Sequence, residues 1–567
     1  MREFEKGVLD VLLSGSDIIV KTLIEQGCDT VFGYPGGQIL NVYDSLYRYQ
    51  DEINHVLTAH EQGATHAADG YARVTGKVGV VISTSGPGAT NLVTGIATAY
   101  LDSIPMVAIC GNVPTTQIGT DSFQEIDITG VTLPITKHNY FVGSVEDLAD
   151  TIREAFKLAK SGRPGPVLID VPKDVQINKC EYEAEAPVEK DEPFAAKDVR
   201  IVEAAEIINS AKRPFIYFGG GVITADAQEE MLALSEKIDA PIGCSLMGLS
   251  GVPTDHPRFL GMQGMHGHFA SSMSMHNADV ILSLGVRFND RVTGNRSKFA
   301  TGAKIVHIDV DGSELNKTVN SVCGLRGDVK LTLQKLLPLL DEDKKEEWMK
   351  KVDDFRKEEE TYLDNREGLT PRRAILTLNK HLGENTAVCT DVGQHQMWSA
   401  QSLNFKTSRR FASSGGLGTM GYGFGAAIGA AYGTKERSVL ITGDGSFGMN
   451  LNELATAVRY NVPVVVIIMN NGVLGMVRQW QTLFYDKHYS NSVLQRKTDF
   501  AAFARSFGAD GEAVTTPEEL DEALAKAFKT EGPYIIDCKI DKDEFVLPML
   551  PPGGSMDDII TKLEVEL

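Results

Sequence analysis

Apolar residues along the chain fall into short runs, and many of these runs end in a glycine-rich turn. Residues 77–100 read KVGVVISTSGPGATNLVTGIATAY, and residues 215–238 read FIYFGGGVITADAQEEMLALSEKI. In both stretches a β-branched or aromatic run gives way to small residues and then to a segment rich in helix-forming residues. This alternation predicts strand–turn–helix units, in which helices connect parallel strands.

The same order of features occurs in two distant parts of the chain. Residues 80–112 contain a strand, a GPG turn, an alanine-rich helix, a proline and a second apolar strand. Residues 438–471 contain the same features around a GDG turn. The first glycine of the turn precedes the proline by 19 residues in one copy and by 20 in the other. The repeat predicts a duplicated α/β domain with a different domain between its two copies.

Two polar segments interrupt this pattern and divide the chain. Residues 179–197, KCEYEAEAPVEKDEPFAAK, combine acids and prolines with little apolar periodicity, which predicts a linker. Residues 341–360, DEDKKEEWMKKVDDFRKEEE, predict a charged surface helix. We therefore expect an α/β protein with three doubly wound parallel-sheet domains, at residues 1–185, 186–365 and 366–567.

Net charge, cysteine spacing and the length of apolar runs disfavour several classes of partner and of site. The 567 residues include 55 basic and 76 acidic side chains, for a net charge of −21, which disfavours nucleic acids and anionic membranes as partners. The seven cysteines are scattered and form no CxxC pair, which argues against a disulfide framework or a zinc site. The first residues mix acids with apolar residues, and the apolar run at 464–469 is too short to span a bilayer. We expect a cytoplasmic protein without signal peptide or membrane segment.

The strongest chemical motif lies in the third segment. ITGDGSFGMN at 441–450 is followed, 24 intervening residues after Gly445, by Asn470 and Asn471 at the end of an apolar strand. If both tips lie at neighbouring strand ends, Asp444 and Asn471 can offer oxygen ligands to Mg²⁺, and the glycines let backbone N–H groups approach phosphate. An isolated GDG is most often an ordinary turn, but the pairing with NN favours a metal–phosphate site.

This pairing resembles the signature of thiamine diphosphate-dependent enzymes, and the resemblance covers almost the whole chain. HEQGA at 60–64, GYAR at 70–73 and TSGPGATN at 84–91 follow the family pattern in order. Among these enzymes, the chain resembles the acetohydroxyacid synthase (acetolactate synthase) family of catalytic large subunits. The resemblance implies that the first and third domains are of the thiamine-diphosphate-binding type, holding the aminopyrimidine and the diphosphate respectively. The middle domain is then of the FAD-binding type.

The resemblance also implies roles for individual residues. Glu61 would contact the aminopyrimidine ring and support proton transfer there, although taken alone it is a glutamate at a helix start stabilised by the helix dipole. Arg291 would bind a 2-ketoacid carboxylate, although alone it would pair with Asp290 at the surface. Trp480 would favour 2-ketobutyrate as second substrate, although a lone Trp is more often a core residue. The other residues implied to line the reaction centre are Gly37, Phe123, Gln124, Lys137 and Met420.

Three cofactors follow from the resemblance. Thiamine diphosphate would contact Glu61, Gln124, Val392, Gly393, Gln394, His395, Gly418, Met420, Gly443, Asp444, Gly445, Ser446, Asn471, Gly475 and Met476. Mg²⁺ would be bound by Asp444, Asn471 and Val473. FAD would contact Ser103, Arg163, Gly220, Ser245, Leu246, Gly264, Met265, His266, Gly285, Arg287, Asp309, Val310, Asp328, Val329, Gly415 and Gly416. The middle segment lacks a GxGxxG fingerprint and carboligation transfers no electrons, so we assign FAD a structural role.

The implied activity is that of a transferase. It decarboxylates pyruvate and joins the two-carbon unit to pyruvate or 2-ketobutyrate, as in branched-chain amino acid biosynthesis (valine, leucine and isoleucine). The implied partners are a second copy of the chain, as homodimer or homotetramer, and a regulatory small subunit. The alternatives are a flavin-independent catabolic acetolactate synthase or a related pyruvate decarboxylase or oxidase. The presence of Glu61, Asp444 and Asn471 argues against a further alternative, a paralogue without enzymatic activity.

Overall fold

The computed structural model describes residues 11–562. The expectation that the chain starts without a signal peptide concerns residues 1–10 and lies outside the described residues. Within the described part, three six-stranded sheets are parallel throughout, and one two-stranded sheet is antiparallel. No helix in this part is long and apolar enough to cross a membrane. The three large sheets with helices between their strands match the predicted α/β class.

The first large sheet has the strand order β3-β2-β4-β5-β7-β6. The strands of this part are β1 (Val11–Ser14), β2 (Thr30–Gly33), β3 (Asn54–Leu57), β4 (Gly79–Ser83), β5 (Met106–Asn112), β6 (His138–Phe141), β7 (Pro166–Pro172) and β8 (Lys179–Tyr182). The helices are α1 (Gly15–Glu25), α2 (Leu40–Arg48), α3 (Glu61–Thr75), α4 (Pro87–Asn91), α5 (Val93–Asp102), α6 (Ile128–Thr132), α7 (Leu148–Lys160) and α8 (Lys173–Ile177). Strands β4, β5 and β7 are buried along their whole length, as is typical of central parallel strands.

The middle sheet has the order β11-β10-β9-β12-β13-β14. Its strands are β9 (Pro214–Phe218), β10 (Ile242–Cys244), β11 (Phe259–Met262), β12 (Val280–Leu284), β13 (Lys304–Asp309) and β14 (Cys323–Arg326). Its helices are α9 (Asp198–Asn209), α10 (Gly220–Thr224), α11 (Gln228–Lys237), α12 (Phe269–Asn277), α13 (Asp290–Thr293), α14 (Val329–Leu336) and α15 (Glu346–Glu360). This order is that of dinucleotide-binding folds, and it reverses between β9 and β12.

The third sheet has the order β16-β15-β17-β18-β20-β19. Its strands are β15 (Ala387–Thr390), β16 (Phe411–Ala412), β17 (Ser438–Gly443), β18 (Val464–Asn470), β19 (Asp510–Val514) and β20 (Tyr534–Lys539). Its helices are α16 (Pro371–Asn379), α17 (Gln394–Ser402), α18 (Gly423–Thr434), α19 (Asp444–Asn450), α20 (Leu454–Arg459), α21 (Gly475–Phe484), α22 (Phe500–Phe507) and α23 (Pro517–Ala527). Strand for strand, this order matches that of the first sheet, as the sequence repeat predicts.

Helices α3 and α18 hold the first and third domains together. They approach so closely that a Cβ atom on Gly429 would collide with the carbonyl of Ala67, and one on Gly70 with the carbonyl of Ala426. A third glycine, Gly425, has its space limited by the backbone of α3 in the same way. Only glycine fits at such backbone-to-backbone contacts, so the sequence of α18 fixes how the two domains pack.

The two polar segments differ from their predicted structure in part. Strand β8 pairs with β1, so the predicted linker is irregular only over residues 183–197. The charged segment does form a helix, α15, but this helix buries Trp348, Val352 and Phe355. The indole nitrogen of Trp348 donates a hydrogen bond to the carbonyl of Pro214 at 3.0 Å. Large apolar side chains at helical spacing form one face of α15, and this face packs into the core of the middle domain. The many charged residues of the segment make that apolar face hard to recognise in the sequence.

Candidate active site

A cavity of about 1510 Å³ lies at the carboxyl ends of the middle strands, where the strand order reverses. Ligands of open α/β sheets bind at this place. Residues from all three domains form its wall. Of the residues implied for FAD, those lining the cavity are Ser103, Arg163, Gly220, Ser245, Leu246, Met265, His266, Gly285, Arg287, Asp309, Val310, Asp328, Val329, Gly415 and Gly416. Gly264 instead lines a small adjoining pocket of about 40 Å³.

Polar groups in the cavity wall fit a large polar ligand. Arg163 donates to the hydroxyl of Ser103 at 2.8 Å and pairs with Glu314 at 2.9 Å, which joins the first domain to the middle one. Burial raises the pKa of Asp309 to about 6. The Tyr217 hydroxyl and the Nδ1 atom of His266 are buried and have no hydrogen-bond partner among residues 11–562. Buried polar groups are rarely left unpaired, so these two atoms indicate a ligand with hydrogen-bonding groups.

A buried ion network anchors the loop that carries Gly415 and Gly416. The Asp102 carboxylate accepts hydrogen bonds from the N–H groups of Gly415 at 3.0 Å and Gly416 at 2.7 Å. Arg73 donates to Asp102 at 2.9 Å and to Asp69 at 2.6 Å, and these three side chains are nearly inaccessible to water. The network connects helix α3, which begins at Glu61, to the cavity wall.

The third domain presents the GDG and NN motifs at one edge of its sheet. Asp444 follows β17 and Asn471 follows β18, and these two strands are neighbours. Asp444 is 5% exposed, and burial raises the pKa of its carboxyl to about 6. The Asn471 side-chain oxygen accepts a hydrogen bond from the N–H of Val473 at 3.2 Å. Across residues 11–562 no group of three or more His, Cys, Asp and Glu side chains could hold a metal. A magnesium ion here would therefore need amide, carbonyl and phosphate oxygens besides Asp444.

The other predicted diphosphate residues lie around this edge. His395 is buried, burial lowers its pKa to about 3, and its Nε2 atom has no hydrogen-bond partner in the part of the chain that the structure describes. Gly443 leaves space for that imidazole, since a Cβ atom there would lie 3.0 Å from its Nδ1. Gly475 similarly makes room for the Gln394 side chain. Ser446 donates to the carbonyl of Val392 at 2.8 Å. Gly445 lies directly after Asp444.

The large cavity extends from the middle domain to this edge. The guanidinium of Arg291 lies 5.8 Å from the centre of the Trp480 ring, and both side chains line the cavity. Arg291 and Asp290 are 3.8 Å apart and both largely exposed, so that ion pair contributes little. Further predicted thiamine residues in the cavity wall are Val392, Gly393, Gly418, Met420 and Met476.

In the first domain, Glu61 lies outside the wall of the large cavity. Glu61 is the first residue of α3, where a carboxylate is stabilised by the helix dipole. The amide nitrogen of Asn91 donates to Glu61 Oε2 at 2.9 Å, and Gly88 leaves room beside Oε1. The Gly37 carbonyl accepts a hydrogen bond from Lys173 Nζ at 3.0 Å, and no atom lies within 4 Å of the position that a Cβ on Gly37 would take.

Phe123 and Gln124 lie on an open loop of the first domain. Phe123 is 83% exposed, an unusual position for a large aromatic side chain. Gln124 has a positive φ of 62° and its backbone packs against Gly86, whose φ is 58°. Glu61, Gly37, Phe123 and Gln124 are not among the residues that line the large cavity.

The hydrogen bonds of Lys137 go to the end of a helix and not to residues implied for the reaction centre, so its role there stays a prediction. Its ammonium group donates to the carbonyls of Leu158 and Ser161, at the C-terminal end of α7. Carbonyl groups at a helix end lack partners within the helix and attract cations. Burial lowers the pKa of Lys137 to about 8. A different lysine, Lys173, contacts Gly37, which is implied to line the reaction centre.

Sequence reasoning missed Asn91, Lys173, Asp102 and Gln479. Asn91 ends the quoted TSGPGATN motif, so its proximity to Glu61 could have been suspected. Asp102 and Lys173 belong to no motif, and their contacts depend on how separate elements pack. Gln479 lies one residue before Trp480 and faces the opposite way, into the protein, with 1% of its surface exposed.

Comparison with known proteins identifies families for three parts of the chain. Residues 13–131, 201–336 and 391–538 match, respectively, the N-terminal thiamine pyrophosphate-binding, central and C-terminal thiamine pyrophosphate-binding domain families of thiamine pyrophosphate enzymes. The chain is 45% identical to a probable acetolactate synthase large subunit of Methanocaldococcus jannaschii, covering 98% of this chain and 96% of the relative. It is 42% identical to the acetolactate synthase isozyme 3 large subunit of Escherichia coli, covering 97% and 98%.

A third relative, the acetolactate synthase large subunit of Corynebacterium glutamicum, is 44% identical, covering 96% of this chain and 90% of the relative. Such identity over nearly the full length of both chains leaves no large segment unmatched. By sequence, domain content and sheet topology, the chain belongs to the acetolactate synthase large-subunit family of thiamine diphosphate enzymes.

Proposed function

We propose that the chain is the catalytic subunit of an acetolactate synthase. It decarboxylates pyruvate and joins the two-carbon unit to a second 2-ketoacid, giving 2-acetolactate from pyruvate or 2-aceto-2-hydroxybutyrate from 2-ketobutyrate. The observation that carries this proposal is the 41–45% identity to acetolactate synthase large subunits over nearly the whole chain. The pathway served is branched-chain amino acid biosynthesis, and a cytoplasmic location remains a prediction from composition.

Thiamine diphosphate supplies the electron sink for cleavage of the carbon–carbon bond. In our proposal Glu61 accepts or holds a proton at the aminopyrimidine ring, and the Asn91 amide fixes the direction of that carboxylate. Asp444, Asn471 and the Val473 carbonyl would hold Mg²⁺ against the diphosphate. Burial raises the pKa of the Asp444 carboxyl to about 6, and a divalent ion bound beside it would stabilise its charged form.

Arg291 and Trp480 are the proposed substrate-binding pair. A guanidinium binds a planar carboxylate through two parallel hydrogen bonds. The indole face beside it can pack against the additional methyl group of 2-ketobutyrate, which changes selectivity by about 1–3 kcal/mol at most. Their common position in the cavity wall supports this assignment.

FAD is proposed for the large cavity, with a structural role. The cavity volume, the unpaired Tyr217 and His266 atoms and the sheet order all fit a dinucleotide. Because Gly415 and Gly416 line the same cavity and lead directly to Met420, a ligand there would order the loop beside the thiamine site. This gives the flavin a role without electron transfer.

The active unit is proposed to be a homodimer, or a homotetramer built from dimers, that associates with a regulatory small subunit. The first domain of one copy would complete the site begun by the third domain of another. The open position of Phe123 supports this, because a second copy could cover it.

The test is product analysis with purified protein, thiamine diphosphate, Mg²⁺ and pyruvate, with and without 2-ketobutyrate. We expect yellow protein and acetolactate as the main product. Acetaldehyde or peroxide as main product would contradict the synthase function. Colourless protein with full activity would favour the flavin-independent catabolic enzyme.

A further inference from the structure

After β20 the chain crosses from the third domain to the middle one. We call residues 543–555 of this crossing the C-terminal strap. Near its start, the Gln394 side chain donates to the carbonyl of Glu544 at 2.7 Å. Further along, the N–H of Leu550 donates to the carbonyl of Met265 at 2.7 Å. The strap therefore contacts both a predicted diphosphate residue and a residue of the large cavity.

The buried side chain of Gln479, on α21, makes two hydrogen bonds to the middle of the strap, between the carbonyls of Phe545 and Leu547 that Trp398 and Gln401 bind. Its oxygen accepts hydrogen bonds from the N–H of Val546 at 2.9 Å and from Gln394 Nε2 at 3.0 Å. Its nitrogen donates to the carbonyl of Val546 at 3.2 Å. One amide side chain thus pairs with both backbone groups of Val546, as a neighbouring strand would.

The same chain of hydrogen bonds reaches the edge of the third sheet where Asp444 and Asn471 lie, which we call the metal edge because it is the proposed magnesium site. Gln394 Oε1 accepts a hydrogen bond from the Asn471 side chain at 3.4 Å. Asn471, Gln394, Gln479 and Val546 are consecutive members of one network, and both glutamines are nearly inaccessible to water. Such a network is costly to leave partly unpaired, because each buried polar atom that loses its partner is not rehydrated.

We propose that Gln479 is a positioning residue of the thiamine site: it couples the C-terminal strap to Asn471, so that the strap and the metal edge are ordered together. The part that concerns cofactor binding rests on the proposed function, since it takes Asn471 as a magnesium ligand. The strap is also hydrogen-bonded to Met265, which lines the large cavity, so a well-ordered strap would also hold that part of the cavity wall in place.

The test compares full-length wild type with Gln479→Met, which keeps the side-chain length and removes every polar contact. Hydrogen–deuterium exchange of the strap is measured without cofactor, and thiamine diphosphate affinity is measured with Mg²⁺ by quenching of tryptophan fluorescence. We expect amide exchange at both Val546 and Leu550 to accelerate about tenfold, and the half-saturating cofactor concentration to rise about tenfold. The matched control is Gln334→Met on the exposed face of α14, which should change neither quantity.

Acceleration confined to Val546, or unchanged cofactor affinity, would overturn the coupling. If Gln479→Met does not fold, Trp398→Phe tests the same strap, because it removes the hydrogen bond from the indole nitrogen to the Phe545 carbonyl at 3.2 Å and leaves a smaller aromatic ring in its place. Its exchange at Leu550 should rise about threefold, and unchanged exchange would again overturn the proposal. Wild type that binds no thiamine diphosphate would instead refute the proposed function, while the exchange result on the strap would still be readable.

Discussion

The large cavity and the proposed thiamine site differ in how completely one chain builds them. All three domains of a single chain contribute to the cavity wall, from Ser103 through Asp309 to Gly415. The thiamine residues instead form two groups. One group, around Asp444, lies at the third sheet edge beside the cavity, and the other, around Glu61 and Phe123, lies on the first domain outside it.

The difference follows from which residues face each sheet edge. Residues of the first and third domains of the same chain face the carboxyl ends of the middle strands, so folding of one chain is enough to form the cavity there. In the function proposed above, each duplicated sheet would carry half of a site at its carboxyl end, and the packing of α3 against α18 fixes the position of one half relative to the other within a chain. If a second copy completes each site, the chemistry would depend on assembly as well as on folding.

The largest expected effect is the loss of turnover when Glu61 is replaced, because this change should affect the proposed thiamine site and leave the large cavity intact. Replacing Glu61 by Gln removes the carboxylate while keeping its shape and its contact with Asn91. We expect turnover of pyruvate to fall about a thousandfold, equivalent to about 4 kcal/mol of transition-state stabilisation. Flavin absorbance of the purified protein should be unchanged, since the cavity does not include this residue.

The control is Glu52→Gln, an exposed glutamate paired with Lys21, which should keep full activity. Acetolactate formation and the visible spectrum are measured on the same preparations. Undiminished turnover of the Glu61 variant would remove Glu61 from the mechanism.

A smaller effect is expected where the two regions meet, at Asp102. Asp102→Asn takes one charge from the buried network with Arg73 and weakens the hydrogen bonds to Gly415 and Gly416. We expect a loss of about 3 kcal/mol in the free energy of unfolding, because the buried guanidinium loses part of its compensation. Flavin should be lost on gel filtration before thiamine diphosphate affinity changes.

Denaturant unfolding and the flavin content after filtration measure this effect. Asp198→Asn, which changes an exposed carboxylate paired with Lys335, is the matched control. Full flavin retention by a destabilised Asp102 variant would show that the network supports the fold without acting on the cavity.

The smallest expected effect is on the pH dependence of stability, and it concerns a further contact between the first and third domains. Glu453 accepts a hydrogen bond from the N–H of Ala59 at 3.1 Å, just before α3, and burial raises the pKa of Glu453 to about 7. Since this value lies above that of an exposed glutamate, the folded state holds the proton more tightly. The protonated carboxyl thus favours folding at low pH, and this contribution is lost as the pH rises through 7.

Glu453→Gln removes the ionisation. Between pH 5 and pH 8 the variant should therefore lose about 2 kcal/mol less stability than wild type. Thermal unfolding at several pH values measures the difference. Parallel pH profiles of the two proteins would contradict a buried, titrating Glu453.

The sequence predicts the three α/β units, the duplication and the adjacency of Asp444 and Asn471, because strand periodicity and turn glycines are local signals. It does not predict the long-range contacts of polar side chains. Lys137 directly precedes β6 and Lys173 directly follows β7, and only packing decides that one meets helix carbonyls and the other meets Gly37. The contacts of Asp102 and Gln479 cannot be predicted from the sequence for the same reason.

The glycine contacts between α3 and α18 have a consequence for any assembly of this chain. Since no methyl group fits between Gly429 and Ala67, the offset between the two half-sites of one chain is set by backbone contact rather than by adjustable side chains. A symmetric pair of chains would contain that offset twice, once in each copy, and it would stay the same for as long as the two helices remain packed.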